Sequence, residues 1–136
     1  MDATTIGGRE VDLEIPDGMV GAVELMLTFR PGSASCFGVM LRGEDDAACR
    51  VCYEVADGLV RIDGATPWPV SGPCPVVDGR VRLHMLVDHH VVEVYAQDGH
   101  TVLTSRMDDL PAVKHVSVFA DGGDVVLEQA DAWVLG

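Results

Sequence analysis

Apolar and polar residues alternate along most of this chain in short runs, and pairs such as Asp-Gly, Pro-Gly and Gly-Gly interrupt the runs at close intervals. A period of two sends successive side chains to opposite faces of an extended strand, so the pattern predicts strands and no helix. The expected strands are 9–15, 20–29, 36–41, 50–54, 59–62, 80–88, 91–97, 100–107, 113–120 and 125–134. Pro16-Asp17-Gly18, Pro31-Gly32, Gly43-Glu44-Asp45-Asp46, Asp57-Gly58, Asp78-Gly79 and Asp121-Gly122-Gly123 punctuate them, and the Pro-rich stretch Thr66–Pro75 reads as one long irregular crossover. Strands at this spacing predict two packed antiparallel sheets in a single domain.

The stretch from Leu83 to Arg106 fixes a register. Asp98-Gly99 is the pair that most easily takes positive φ at both central positions of a type I′ turn. A two-residue loop there sets Gln97 opposite His100, Tyr95 opposite Val102, Glu93 opposite Thr104 and Val91 opposite Arg106. A second tight turn at Asp88-His89-His90-Val91 sets Val87 opposite Val92, Leu86 opposite Glu93 and His84 opposite Tyr95. Val81, Leu83, Met85, Val87, Val92, Val94, Ala96, Leu103 and Ser105 then share the core face. Arg82, His84, Asp88, Glu93, Tyr95, Gln97, His100, Thr104 and Arg106 share the outer face, where any function of this region is expected.

The run Val87-Asp88-His89-His90-Val91-Val92-Glu93-Val94-Tyr95, then Asp98-Gly99, then Leu103-Thr104-Ser105-Arg106, resembles the C-terminal β-sandwich domain of glycoside hydrolase family 32. Phe37–Arg42, Val51–Val55 and Gly58–Asp63 are similar to earlier strands of the same domain, so the resemblance runs from about Val11 to Trp133. His89-His90 replaces an Arg-Ser pair of the family wording and Tyr95 replaces a Phe, departures confined to a turn and the outer face. The resemblance implies an all-β, two-sheet antiparallel β-sandwich, concanavalin A-like and of jelly-roll type. It also implies that the chemistry of invertases, inulinases and levanases, carried in the family by a preceding five-bladed propeller, lies elsewhere. The Asn-Asp-Pro, Arg-Asp-Pro and Glu-Cys motifs of that propeller do not occur here, and the chain has no Asn. With 136 residues, one domain is expected and no catalytic residue within it; the chain is either a fragment of a larger hydrolase or a free-standing relative of its accessory domain.

Composition agrees with a sandwich built from aliphatic side chains: 48% of residues are hydrophobic, only three of them Phe. Nine Lys plus Arg against 22 Asp plus Glu leave a net charge of −13, which repels phosphate backbones and anionic bilayers, so neither nucleic acid nor a membrane is an expected partner. No apolar run is long enough to span a bilayer and no signal pattern opens the chain, which as written reads as cytoplasmic.

Candidate chemistry is sparse. The outer-face residues His84, Asp88, Glu93, Tyr95 and Arg106 form either a structural charge ladder or, as the family resemblance implies, an interface to a catalytic propeller or to another copy of the chain. The rival class is a free-standing fructan- or sucrose-binding module. Its ring platform would be Trp68, held between Pro67 and Pro69, unless that ring folds down as a lid on the sandwich. Trp133, in an alternating strand, is expected in the core. Cys49 and Cys52 form a C-x-x-C whose members point to opposite faces of a strand, so with Cys36 and Cys74 they read as ordinary thiols and not as metal ligands. Asp45-Asp46 and Asp108-Asp109 read as solvated turns, and His89-His90 as divergent. No metal and no cofactor is expected.

Overall fold

A computed structural model describes residues 3–15, 22–43, 48–64, 69–88, 90–107 and 113–135. All regular structure among them is β-strand: β1 (Thr4–Gly7), β2 (Glu10–Asp12), β3 (Ala22–Pro31), β4 (Cys36–Arg42), β5 (Ala48–Glu54), β6 (Leu59–Asp63), β7 (Val70–Pro73), β8 (Val81–Val87), β9 (Val91–Ala96), β10 (Thr101–Arg106), β11 (His115–Asp121) and β12 (Asp124–Leu135). The first sheet runs β1-β12-β3-β8-β9-β10 and the second β2-β11-β4-β5-β6-β7. The pairings are antiparallel, and the two sheets pack as a sandwich, as the alternation predicts.

The inner faces meet in one apolar layer. Ile6, Val23, Leu25, Leu27, Phe29, Val81, Leu83, Met85 and Val94 come from the first sheet, and Phe37, Val39, Leu41, Val51, Tyr53, Val60, Ile62 and Val118 from the second. The rings of Phe29 and Phe37 lie 5.0 Å apart and those of Phe37 and Tyr53 5.2 Å apart, tilted at 45° in both pairs, linking the sheets through the middle. Such aromatic pairs add roughly 0.5–1.5 kcal/mol beyond their buried area. Every residue assigned to the core face of the β8–β10 meander is buried, Ser105 included. Its register is the expected one, with Tyr95 opposite Val102 and His84 opposite Tyr95. The turn has φ of 58° at Asp98 and 96° at Gly99, and Asp88 donates its amide to Val91 across the second turn at 2.9 Å.

Several expectations need correction. The strand expected at 9–15 shortens to β2, and β1 precedes it; Gly8, at φ 58°, turns the chain from the first sheet into the second. The crossover expected at Thr66–Pro75 contains β7, an edge strand on β6 with Leu59 opposite Pro73. Proline is tolerated there because an edge strand has one side free of ladder bonds. Gln97 is not on the outer face. Its φ of 51° breaks the alternation after Ala96, and the residue is buried.

Trp133 is not in the core: 44% of it is exposed. The register between β12 and β3 shifts at Glu128, since Leu127 faces Phe29 but Gln129 faces Thr28. One extra residue on one strand inverts every later side chain. Val125 and Leu127 therefore point inward before the bulge and Ala130 and Ala132 after it, which leaves Asp131, Trp133 and Leu135 on the outer face.

Candidate functional site

The outer face of the first sheet follows from these registers as cross-strand rows. Trp133 on β12, Glu24 on β3, Leu86 on β8, Glu93 on β9 and Thr104 on β10 form one row. Asp131, Met26, His84, Tyr95 and Val102 form the next. Met26 is 43% exposed, Val102 51% and Leu135 40%, so with Trp133 this face presents large apolar groups to its surroundings.

Polar contacts stitch the rows together. His84 Nε2 lies 2.6 Å from Glu24 Oε2, and the Tyr95 hydroxyl donates to Glu93 Oε2 at 2.8 Å. The hydrogen bond to the Glu93 carboxylate holds the Tyr95 hydroxyl above its ordinary pKa. The imidazole of His84 and the Tyr95 ring sit 5.7 Å apart. Of the six residues singled out in the sequence, His84, Glu93 and Tyr95 thus meet at the middle of this face. Asp88 and Arg106 are exposed at its end, beside the β8–β9 turn, with Arg106 opposite Val91. Trp68, and likewise His89, Asp45, Asp46, Asp108 and Asp109, lie outside the described residues. Glu24, Met26 and Trp133 were missed because β3 and β12 join β8 only through long-range pairing. A parity count that allowed for a bulge near Glu128 would have found Trp133.

Two hollows bear on ligand binding. The one on this face, lined by Met26, Arg82, His84, Tyr95, Asp98 and Gln129 among others, has a volume of about 40 Å³. Small-molecule sites run to roughly 300–1,000 Å³, so this depression suits a water molecule and not a sugar ring. A larger one of about 280 Å³ lies between Asp12, Leu13 and Glu14 and Ala130, Asp131 and Ala132, and among the described residues its lining includes no aromatic ring.

The outer face of the second sheet carries a different cluster. Cys36, Cys52 and Phe119 are buried together with Met40 against them. Arg50 lies over the Phe119 ring at 4.5 Å and donates to Cys36 Sγ and Asp121 Oδ2, both at 2.9 Å. Arg61 donates to Glu54 Oε1 at 2.7 Å, and Cys52 donates to the same oxygen at 3.2 Å. Burial, reinforced by Glu54, pushes the Cys52 thiol up to about 12. Cys49 and Cys74 sit in the main core, pushed up by burial to about 12 and about 11. All four thiols are free.

A family model described as glycosyl hydrolases family 32 C terminal matches residues 3–134. The chain belongs to this family. Among curated members, it is 44% identical over 62 residues to the insoluble β-fructofuranosidase isoenzyme CWINV4 of Arabidopsis thaliana, covering 43% of this chain and 10% of that protein. It is 31% identical over 114 residues to a levanase of Bacillus sp. (strain L7), covering 76% of this chain and 12% of the levanase. The family 32 C-terminal chain thus spans about a tenth of the length of these relatives. Among solved structures it resembles exo-inulinase from Aspergillus awamori, with a TM-score of 0.76 at 21% identity over 96% of this chain and 28% of that one. It also resembles galectin LEC-6 of Caenorhabditis elegans, with a TM-score of 0.67 at 14% identity over 96% of this chain and 95% of that one. At these identities the two structures share its fold.

Proposed function

We propose that this chain is the non-catalytic accessory sandwich of a β-fructosidase-like protein and docks on a catalytic propeller through the outer face of its first sheet. The observation that carries this reading is the exposed apolar group of Met26, Val102, Trp133 and Leu135 on one face, with Tyr95 and Leu86 half-buried among them. A chain with a net charge of −13 spends its surface on charge, so large apolar side chains gathered on one sheet face call for a cover. Trp, Tyr and Met are the types enriched at the centres of interfaces, and the Glu24–His84 and Tyr95–Glu93 pairs satisfy the polar groups that docking would desolvate. The shallow depression on this face also favours a flat protein surface over a sugar ring.

The test is calorimetric titration of the chain with the isolated propeller domain of a family 32 enzyme, run beside titrations with sucrose, inulin and levan and beside light scattering. Docking predicts saturable binding to the propeller that Trp133→Ala weakens by about 30-fold, the equivalent of about 2 kcal/mol. A second reading draws on the rings of Trp133 and Tyr95 beside hydrogen-bonding Glu24, His84 and Glu93: a fructan- or sucrose-binding face. Saturable binding of a fructan with no affinity for the propeller would establish that reading and sink the docking one. Self-association abolished by Trp133→Ala, again without propeller binding, would make the same face a contact between copies.

A further inference from the structure

We propose that Cys36, Cys52 and Glu54, on the outer face of the second sheet, form a binding site for a thiophilic divalent cation of the zinc and cadmium class. The site shares no residue with the docking face, so either reading can fail without the other.

The β4–β5 register sets Cys36 opposite Glu54 and Gly38 opposite Cys52, which brings two thiols from adjacent strands onto the same face as the carboxylate. The two Sγ atoms and a Glu54 oxygen lie within 4.8 Å of one another. A tetrahedral zinc ion about 2.3 Å from each sulfur and about 2.1 Å from an oxygen holds its donor atoms about 3.6–3.8 Å apart, so the donor pairs need to close by up to about 1 Å, a shift within reach of side-chain rotation at Cys36, Cys52 and Glu54. Gly38, between Cys36 and Met40 on this face, contributes no side chain that could fill the gap. A Cβ there would come within 2.0 Å of the Val51 carbonyl oxygen, so no larger residue fits. Asp121 Oδ2, 3.7 Å from Cys36 Sγ, flanks one sulfur but stands outside the three-donor group, which leaves the fourth position of a tetrahedral ion to water.

Two sulfurs with one or two carboxylate oxygens select for zinc or cadmium and against calcium or magnesium, which require oxygen donors throughout. Charge also balances. Two thiolates, Glu54 and Asp121 face a divalent cation together with the Arg50 and Arg61 guanidinium groups that already contact them. Binding breaks both S–H bonds, forms two metal–sulfur bonds and releases two protons to solvent. Arg50 gives up its contact with Cys36 and keeps Asp121. Because both thiols must lose their protons to bind the ion, affinity must rise with pH.

The experiment is titration of the full chain, kept reduced by a phosphine, with cadmium ion alone, following thiolate-to-cadmium charge-transfer absorbance and proton release. One equivalent per chain with two protons released is expected, lost in Cys36→Ser and in Cys52→Ser, retained in Cys74→Ala, and weakened about tenfold or more in Glu54→Gln, which keeps both thiols. No saturable signal, or a signal that survives both serine variants, overturns the proposal. Should the serine variants fail to fold, X-ray absorption of the cadmium-loaded wild-type chain decides: two sulfur neighbours support the site, and none or one overturns it.

Discussion

Gln97 offers the sharpest test of how the β8–β10 meander is held together. In a regular ladder the residue opposite Arg82 would accept Arg82 N–H with its own carbonyl. Here Gln97 takes a φ of 51°, its carbonyl accepts the His100 amide across the turn at 3.2 Å, and its side-chain Oε1 accepts Arg82 N–H at 2.9 Å instead. The Gln97 amide nitrogen donates to the carbonyls of Pro75 and Arg80, which ties the preceding connection to the sheet. The side chain thus stands in for a missing piece of backbone.

Gln97→Ala strands Arg82 N–H, at about 1–3 kcal/mol for a buried unsatisfied donor, and loses a bond to Pro75 worth about 0.5–1 kcal/mol. The Arg80 carbonyl keeps Val77 N–H at 3.0 Å, and the positive φ weighs equally on Gln and Ala. The expected loss is about 3 kcal/mol, which with a urea m-value of about 2 kcal/mol/M moves the midpoint down by about 1.5 M. Gln97→Glu separates hydrogen bonding from packing. It keeps the shape and the acceptor but turns a carboxylate toward two carbonyl oxygens, so it should cost as much as Ala at neutral pH. The gap to wild type should narrow below about pH 4, where a protonated carboxyl can donate. A Glu variant as stable as wild type at neutral pH, or an Ala variant within about 0.5 kcal/mol of it, would refute this account.

Other outcomes follow from single features. With Trp68 replaced by Phe, the emission of Trp133 should be red-shifted and readily quenched by iodide; a blue, protected emission would mean that the bulge at Glu128 is misplaced or that the face is already covered by another copy. Gly99→Val should cost about 2 kcal/mol through backbone strain alone, since φ is 96° and a Cβ meets nothing within 4 Å, while Gly99→Asn should cost less. Glu10, Glu54 and Glu128 have lowered pKa values, first through hydrogen bonds from Arg42, Cys52 and Arg80 respectively. Each stabilises the fold fully above the unfolded carboxylate pKa of about 4.3 and ceases to do so as pH falls through its lower folded value, so Tm should drop below about pH 4. Arg42→Gln should shrink the Glu10 share of that drop to what the Ser117 hydroxyl, 2.7 Å from Glu10 Oε2, still supplies, and an unchanged Tm–pH profile would count against the Glu10–Arg42 pairing.

What was legible in the sequence was local. Asp98-Gly99 demanded a two-residue turn, and from it the register of Tyr95, Val102, Glu93 and Thr104 followed by counting. Counting failed where one residue broke the period. Gln97 left the outer face through a positive φ beside a turn, and Trp133 left the core through the extra residue at Glu128, neither of which alternation can show. β7 was hidden by its Pro and Gly content, which reads as loop until β6 supplies a partner for one edge. The meeting of Cys36 with Cys52 depended on a β4–β5 register that carries no turn pair as decisive as Asp98-Gly99.

The bulge also explains why Trp133 and Leu135 join Met26 and Val102 on the outer face of the first sheet. Without the extra residue, the parity set by Val125 and Leu127 would drive Gln129, Asp131 and Trp133 into the sandwich and Ala130, Ala132 and Val134 out of it. A carboxylate buried without a partner costs several kcal/mol, so Asp131 alone opposes that arrangement. Shifting by one residue at Glu128 keeps Asp131 outside, and that side chain accepts a hydrogen bond from Gln129 at 2.6 Å. The displaced Glu128 is itself held by Arg30 at 2.8 Å and Arg80 at 2.6 Å, one clamp from β3 and one from the segment before β8. The same shift that spares Asp131 forces Trp133 and Leu135 outward next to Glu24 and Ala22. Stability of the isolated sandwich accounts for the position of Asp131 but gains nothing from an exposed indole. The docking proposed above gives that indole its role.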